Sequence, residues 1–470
     1  MSKMADKLDV RTPFDGKFIG QVDVADEPSI EAALERAYRL HRDRRQWLKK
    51  QDRIAILRRA AGIVRSRREE LALQVASESG KPLKDSLVEV DRGIDCLDIC
   101  VEELRTNAGH VVPMDINATS AGRLAFTQHE PIGVVLAISA FNHPFNLVVH
   151  QVAPAVAVGA PVVIKPSAKT PLSCRAVLEI FAEAGLPDGW AQMVLPTDNE
   201  LIGRIVSDPR VSFLTFIGSA SVGWRLRSRL APGARCALEH GGIAPVIVAH
   251  DADLDAAIPR LGRAAFWHAG QACVSVQRVF ADRRISEKLA EGIADFGKSL
   301  VTGDPTSMAT DVGPLITHAE NDRVASWVTE AAETGGGKLV SGGQKISASC
   351  YENTVLLDPS VEAKVSQREV FGPVVSVYSY DDIDAAIRQA NDTPFSFQAA
   401  AFTSNIDTAM HCYRNLDGTA VMVNEHTLFR VDWMPFAGAR QSGHGVGGIP
   451  HTMREMQIEK MMVWRSDALN

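Results

Sequence analysis

The sequence predicts an α/β protein in which a long helical segment is followed by two successive βαβ alternations, each of the kind that builds a doubly wound parallel sheet. Three observations predict this. Residues 30–103 repeat apolar side chains three and four positions apart, broken only at Gly80-Lys81-Pro82. Short apolar runs then alternate with helix-like stretches between residues 133 and 217, and a second alternation starts after Gly241-Gly242.

The elements follow in order. Residues 124–129 form a strand-like stretch, and residues 133–139 an apolar run suited to a strand buried on both faces. A helix at 148–158, a strand at 161–165, a helix at 172–184 and strands at 192–194 and 213–217 complete the first alternation. The second runs through a strand at 246–248, a helix at 254–269 and a strand at 278–281, with further units through Tyr378, Ala400 and Val423. Gly335-Gly336-Gly337 and Gly342-Gly343 read as surface turns, and residues 460–464 as a docking strand in the tail.

At 470 residues the chain exceeds one ordinary hydrophobic core, so two or three domains are expected. A composition of 46% hydrophobic and 23% charged residues is that of a globular enzyme or binding protein and excludes a disordered chain. The net charge of -7 leaves no basic excess to neutralise phosphates, so no nucleic acid is expected as a partner. The Arg-rich run at 36–68 is interleaved with Leu, Ile and Ala at helical spacing and reads as solvated helix faces. The apolar region at 134–164 is interrupted by Asn142, His143, His150, Gln151 and prolines, and the start of the chain lacks the apolar core of a secretory signal. No membrane partner and a cytoplasmic location are therefore expected. Seven cysteines without paired CxxC motifs suit a reducing compartment and suggest no metal.

Two places invite chemistry. The strand at 213–217 ends in Gly218-Ser219 and leads into a helix-like stretch, an arrangement that turns free N–H groups and a helix dipole toward an anion. The same pattern is also an ordinary turn capped by Ser219 or Ser221. Cys273 follows Gly270-Gln271-Ala272, whose small residues leave a thiol accessible, whereas Cys96, Cys100, Cys174 and Cys412 sit in helical patterns as packing residues. Either Cys273 is a nucleophile or it too is packing.

A resemblance resolves these alternatives. Pro131-Ile132-Gly133-Val134, Phe141-Asn142-His143-Pro144, Lys165-Pro166-Ser167, Ile217-Gly218-Ser219, Leu238-Glu239-His240-Gly241-Gly242, Gly270-Gln271-Ala272-Cys273, Glu369-Val370-Phe371-Gly372-Pro373 and Met434-Pro435-Phe436-Ala437-Gly438 occur in one order along the chain. In that order and spacing nearly the whole sequence resembles the aldehyde dehydrogenase superfamily. The resemblance implies a Rossmann-like dinucleotide-binding domain (1–117 and 136–238), a second α/β catalytic domain (239–430) and small β oligomerisation elements (118–135 and 445–470). It implies a homodimer or homotetramer acting on a small-molecule aldehyde with NAD or NADP. Cys273 would be the nucleophile, Asn142 an oxyanion donor and Glu239 the base that hydrolyses a thioester. Lys165, with Ser167 and Ala168 beside it, would meet the adenosine ribose, Gly218 and Ser219 the pyrophosphate, and Glu369 the nicotinamide ribose, with Phe371 packed alongside.

Departures from the family pattern bear on specificity. Ala168 stands where a Glu commonly binds the ribose hydroxyls, which admits NADP as well as NAD, and Lys169 adjoins it. Phe141 and His143 flank Asn142, while His240 and Ile243 replace a common Leu and Lys. The segment from Phe141 to Leu147, with His150, resembles the lactaldehyde and phosphonoacetaldehyde dehydrogenase branch and implies a small polar aldehyde. Ala272 replaces the Arg of its phosphonate-specific members. His150, two helical turns after Asn142, is a candidate to bind the polar tail, with Arg105 and Arg430 as candidates for an anion. The bland alternative makes His150 a core histidine and both arginines surface residues. Two other readings keep the fold: acyl transfer to coenzyme A, against which Glu239 counts, and a non-catalytic structural relative, against which Cys273, Glu239 and Asn142 together count.

Overall fold

The structure, a computed structural model, describes residues 6–333 and 336–469, so Gly335 of the expected glycine turn and the first five residues lie outside it. The helices Lys50–Ser66, Arg68–Ser79 and Leu83–Thr106 occupy the segment expected to be helical, with Gly80-Lys81-Pro82 as the break. Before them stands an antiparallel hairpin, Lys7–Arg11 with Phe18–Asp23. Its strands are short and, apart from Phe18, polar at their exposed positions, which hides them from a hydropathy reading.

A six-stranded sheet carries the first alternation, in the order Gly443–His444, Arg235–Glu239, Val211–Ile217, Val134–Ile138, Val162–Lys165, Ala191–Met193. The four pairings among the last five strands are parallel. Both neighbours of the central strand Val134–Ile138 follow it in sequence, so the chain winds outward in two directions from it. Such a switch point opens a crevice at the carboxyl ends of the strands. Helices Lys50–Ser66, Leu83–Thr106, Asn146–Val158 and Pro171–Glu183 bury one face of this sheet. Glu27–Arg42, Asn199–Val206 and Ala220–Arg227 cover the other. Asn146–Val158 is buried at every one of its residues, as a helix enclosed on all sides must be.

The second alternation forms a seven-stranded sheet in the order Lys338–Ser341, Thr354–Leu357, Val374–Tyr380, Arg278–Asp282, Pro245–Val248, Gln398–Phe402, Ala420–Val423. Its pairings are parallel apart from the outermost, Lys338–Ser341 with Thr354–Leu357. The helix expected over 254–269 ends at Phe266. His268 and Ala269 take left-handed backbone angles, at φ 49° and 53°, which reverses the chain just before Cys273. The tail strand is longer than expected: Gln457–Arg465 pairs along its whole length with Arg123–Pro131 of the same chain, and Val111–Val112 completes a three-stranded sheet. No helix of the described residues is long and apolar enough to cross a membrane.

Candidate active site

A cavity of about 1400 Å³ runs between the two larger sheets, and its wall holds Asn142, Lys165, Gly218, Glu239, Cys273 and Glu369. Six separate segments thus converge at one place. Four of these residues lie at or just beyond the carboxyl ends of strands in the six-stranded sheet, where a switch-point crevice belongs.

Cys273 differs from every other cysteine in the chain. All seven are free, six are buried, and Cys273 alone is half-buried. The turn that presents it is held tightly. The Gln271 side chain donates to the carbonyls of His268 (3.1 Å) and Pro314 (3.2 Å) and accepts from the N–H of Ile316 (2.9 Å). Thr427 Oγ1 donates to the Val274 carbonyl at 2.7 Å. Two non-glycine residues in the left-handed region cost about 1–2 kcal/mol each, and this clamp offsets that strain. Gly270, at φ 69°, must be glycine for a second reason, since a Cβ there would overlap the Gly372 carbonyl.

Burial pushes the Cys273 thiol up to about 12; the charges of Glu369 and Glu239 add to the rise, and Arg430 opposes it. Without cofactor, the thiolate fraction is therefore small at neutral pH and grows tenfold with each pH unit. Alkylation of Cys273 by iodoacetamide, followed by peptide mapping, is expected to accelerate about tenfold per unit between pH 7 and 9. A rate independent of pH would contradict this electrostatic picture.

Asn142 is buried, and its Nδ2 donates to the Gln271 carbonyl at 2.9 Å, two residues before Cys273. A side-chain amide has two N–H groups, so one remains for an oxygen beside the thiol. The loop that carries Asn142 is anchored behind it by Glu89, whose Oε1 accepts from the N–H groups of Phe145 (2.9 Å) and Asn146 (3.0 Å). Lys81, fully buried, forms the ion pair of Glu89. Across the cavity, Glu239 ends the strand Arg235–Glu239. Burial raises its carboxyl above the ordinary range; Arg430 pulls it down and Asp432 adds to the rise. The arrangement places a thiol, an amide donor and a carboxyl of raised proton affinity around one space, which is the equipment of acyl chemistry on a cysteine.

The other end of the cavity fits a dinucleotide. Ser219 caps the helix Ala220–Arg227 without using its side chain as a capping acceptor, which leaves the hydroxyl and the helix end for a phosphate. Lys165 is half-buried at the end of its strand, and burial lowers its amine. Glu369 is pushed up to about 8 by burial, against the pull of Arg323 and the Gly242 N–H, and its Oε1 is buried without a partner. An orphaned buried oxygen of this kind is satisfied by a ligand hydroxyl. A Cβ on Gly241 would run into that carboxylate. The ring of Phe371 meets that of Phe141 edge-on at 5.8 Å. Ser167 lines the wall, its Oγ accepting from the Lys169 N–H at 3.1 Å, and Ala168 is exposed beside it.

Two expected substrate contacts are corrected. His150 does not face the cavity: it is buried, and its Nε2 lies 2.9 Å from Asp432 Oδ1 and 3.2 Å from Cys96 Sγ. The helix begins only at Asn146, so Asn142 lies on the preceding loop and two turns counted from it do not carry His150 to the same side. Arg105 sits exposed in the last turn of Leu83–Thr106, away from the cavity wall. Arg430 does line the cavity.

Cys96, His150 and Asp432 lie close enough together to suggest a second reactive group or a metal site. Both contacts of the ring use the same nitrogen, so His150 cannot relay a proton from Cys96 to Asp432. Burial pushes the Cys96 thiol far up. Arg92 occupies both carboxylate oxygens of Asp432, at 2.6 and 3.0 Å, which makes the cluster an ion network. Sequence reasoning missed Arg92 and Asp432, because residues 340 positions apart carry no local signal of their pairing.

The family model described as "Aldehyde dehydrogenase family" matches residues 1–462. A 3-sulfolactaldehyde dehydrogenase of Priestia megaterium is 36% identical over 460 residues, covering 98% of this chain and 95% of its own. The crystal structure of aldehyde dehydrogenase 21 from Physcomitrella patens, in complex with the reaction product succinate, superposes with a TM-score of 0.94 at 34% identity, covering 99% of this chain and 96% of its own. A glyceraldehyde-3-phosphate dehydrogenase from Methanocaldococcus jannaschii, complexed with NADP, gives 0.93 at 32% identity, with coverage of 99% and 100%.

Proposed function

The chain belongs to the aldehyde dehydrogenase family, and from that premise we propose which of its residues carry the NAD(P)-dependent oxidation of an aldehyde and how. The observation that supports the assignment most is that the single half-buried cysteine shares a cavity wall with Asn142 and Glu239.

The Cys273 thiolate adds to the aldehyde carbon, and the carbonyl electron pair moves onto oxygen. Asn142 Nδ2–H and the Cys273 backbone N–H stabilise that oxyanion. A bound NAD or NADP would supply the hydride acceptor for the carbon held on Cys273, and with that hydride gone the oxyanion re-forms its carbonyl as a thioester on the sulfur. Glu239 then removes a proton from water; the oxygen attacks the thioester carbon, the sulfur leaves as thiolate and a carboxylic acid is released. The raised proton affinity of Glu239 suits it to that proton transfer near neutral pH. Lys165, Ser167 and Ala168 would hold the adenosine ribose, Gly218 and Ser219 the pyrophosphate, and Glu369 the nicotinamide ribose, its orphaned oxygen accepting from a ribose hydroxyl.

The substrate is small and polar, a reading supported by the 3-sulfolactaldehyde specificity named for the Priestia relative and by Arg92 and Arg430 in the wall. The dinucleotide-binding unit comprises 1–117 and 136–238, and the catalytic unit 239–430. Residues 118–135 and 445–470, apart from Val134 and Val135 in the central strand of the first sheet and the helix Ile449–Glu455 packed into its core, are assigned to subunit pairing in a homodimer or homotetramer. Met461, Met462, Val463 and Trp464, each about half exposed on the tail strand, support that role. Seven free thiols favour the cytoplasm.

Absorbance at 340 nm with short aldehydes and either nucleotide tests the activity: reduction of NAD or NADP is expected, and none with any aldehyde would overturn the reading. Cofactor choice has its own test. Ala168→Glu is expected to weaken NADP about tenfold more than NAD, through repulsion of the 2'-phosphate. An unchanged ratio of dissociation constants would show that this position does not govern the choice.

A further inference from the structure

We propose that the buried ion pair of Lys81 and Glu89 is a positioning device for the oxyanion donor, holding the loop of Asn142 and the turn before Cys273 at one fixed separation. The inference rests on Asn142 and Cys273 as the groups that meet the aldehyde. Lys81 and Glu89 stand outside the cavity wall, so both act through Asn142 and not on the substrate.

The Asn142 loop ends at the helix Asn146–Val158, whose first turn receives no capping bond from the side chain that precedes it. Phe145 and Asn146 are buried, so water cannot satisfy their N–H groups. Glu89 does so instead. Its Oε1 accepts from Phe145 at 2.9 Å and from Asn146 at 3.0 Å, and a carboxylate is the acceptor that a helix amino terminus favours. Its Oε2 takes the ammonium of Lys81. The two oxygens are thus divided between the loop and the lysine, which fixes the plane of the carboxylate.

Lys81 reaches the other half of the site. Its Nζ stands 5.1 Å from the centroid of the Trp267 ring, and Trp267 opens the left-handed turn that presents Cys273. The same ring meets that of His143, the neighbour of Asn142, at 5.2 Å. One ammonium is therefore bonded to the anchor of the Asn142 loop and stacked on the start of the Cys273 turn. The direct bond between the two segments runs from Asn142 Nδ2 to the Gln271 carbonyl at 2.9 Å, and the brace sets the separation it spans. Stability does not call for such a pair: Lys81 and Glu89 are 0% and 2% exposed, and apolar side chains of similar volume often match or exceed a buried ion pair. The charges add fixed geometry, and a displacement of about 1 Å at a reacting group costs on the order of 100-fold in rate. Glu78, on the other side of Gly80-Lys81-Pro82, offers a comparison. It is equally buried and accepts from Leu172 (2.9 Å) and Ser173 (2.7 Å) at the start of Pro171–Glu183, a helix that does not carry Asn142.

The test is the rate of nucleotide reduction in a single turnover, with enzyme in excess over aldehyde and NAD or NADP saturating. Lys81→Met/Glu89→Leu removes both charges and the carboxylate oxygens. It is expected to slow that rate by about 100-fold and to keep the nucleotide dissociation constant within about twofold. Asn142→Ala alone is expected to slow it by about 10²- to 10³-fold. Added to Asn142→Ala, the double substitution should slow it less than about threefold further, because the group it positions is already gone. Glu78→Leu strips an equally buried cap from the neighbouring helix; it is expected to lower the melting temperature and to keep the rate within about threefold. A rate within about threefold of the unmodified enzyme in Lys81→Met/Glu89→Leu overturns the proposal. A full further loss on top of Asn142→Ala, or an equal loss in Glu78→Leu, also overturns it, because either marks a merely structural role. If the double variant does not fold, Glu89→Gln decides by the same comparisons. Its expected loss is about tenfold, since the amide oxygen still accepts but leaves Lys81 unpaired. A rate near that of the unmodified enzyme in Asn142→Ala removes the oxyanion role of Asn142, the reading on which the brace depends.

Discussion

Cys273→Ala is expected to lower kcat by at least about 10⁵-fold, because no covalent adduct can form without the sulfur. The nucleotide dissociation constant should stay within about twofold, since Lys165, Ser219 and Glu369 stand on other segments of the wall. The clamp around Cys273 uses Gln271, Thr427 and backbone groups rather than the sulfur, so the fold should survive. Calorimetric titration with NADP and a 340 nm assay on the same preparation separate the effects. Turnover within tenfold of the unmodified enzyme would remove Cys273 from the mechanism.

Glu239→Gln is expected to have the second-largest effect, and a divided one. Glutamine keeps the shape and cannot take a proton from water, so thioester hydrolysis should slow by about 10²- to 10⁴-fold. Hydride transfer precedes that step and should be far less affected. Stopped-flow records at 340 nm are expected to show a burst of reduced nucleotide matching the active sites, then slow turnover. Equal slowing of burst and steady state would assign Glu239 to the first half of the reaction.

Much of this site is legible in sequence because its parts are short and locally patterned. The apolar strands at 133–139 and 213–217 announce a parallel sheet, and a glycine turn after the second marks a phosphate-sized opening. Cys273 stands out from the helical cysteines by its small neighbours. The errors have physical causes. Phasing His150 against Asn142 assumed a helix that begins at the amide, whereas the chain runs as a loop until Glu89 caps Asn146. The left-handed turn at His268 and Ala269 is built from residues that rarely adopt it, so nothing local forecasts it. The sharing of Asp432 by Arg92, Arg430 and His150 exists only after helix and loop meet. Arg430, a candidate for an anion in sequence, shows only in the structure as a buried cation with two donors short of an acceptor.

If a thioester on Cys273 stands between aldehyde and acid, peptide mass spectrometry of an acid-quenched reaction detects it. Glu239→Gln is mixed with a substrate aldehyde and NAD or NADP, quenched in acid within the burst and digested with protease. A mass increase equal to the acyl group is expected, confined to the peptide that contains Cys273 and removed by hydroxylamine. A burst of reduced nucleotide with no acyl group on that peptide, or with the group on another residue, would contradict it.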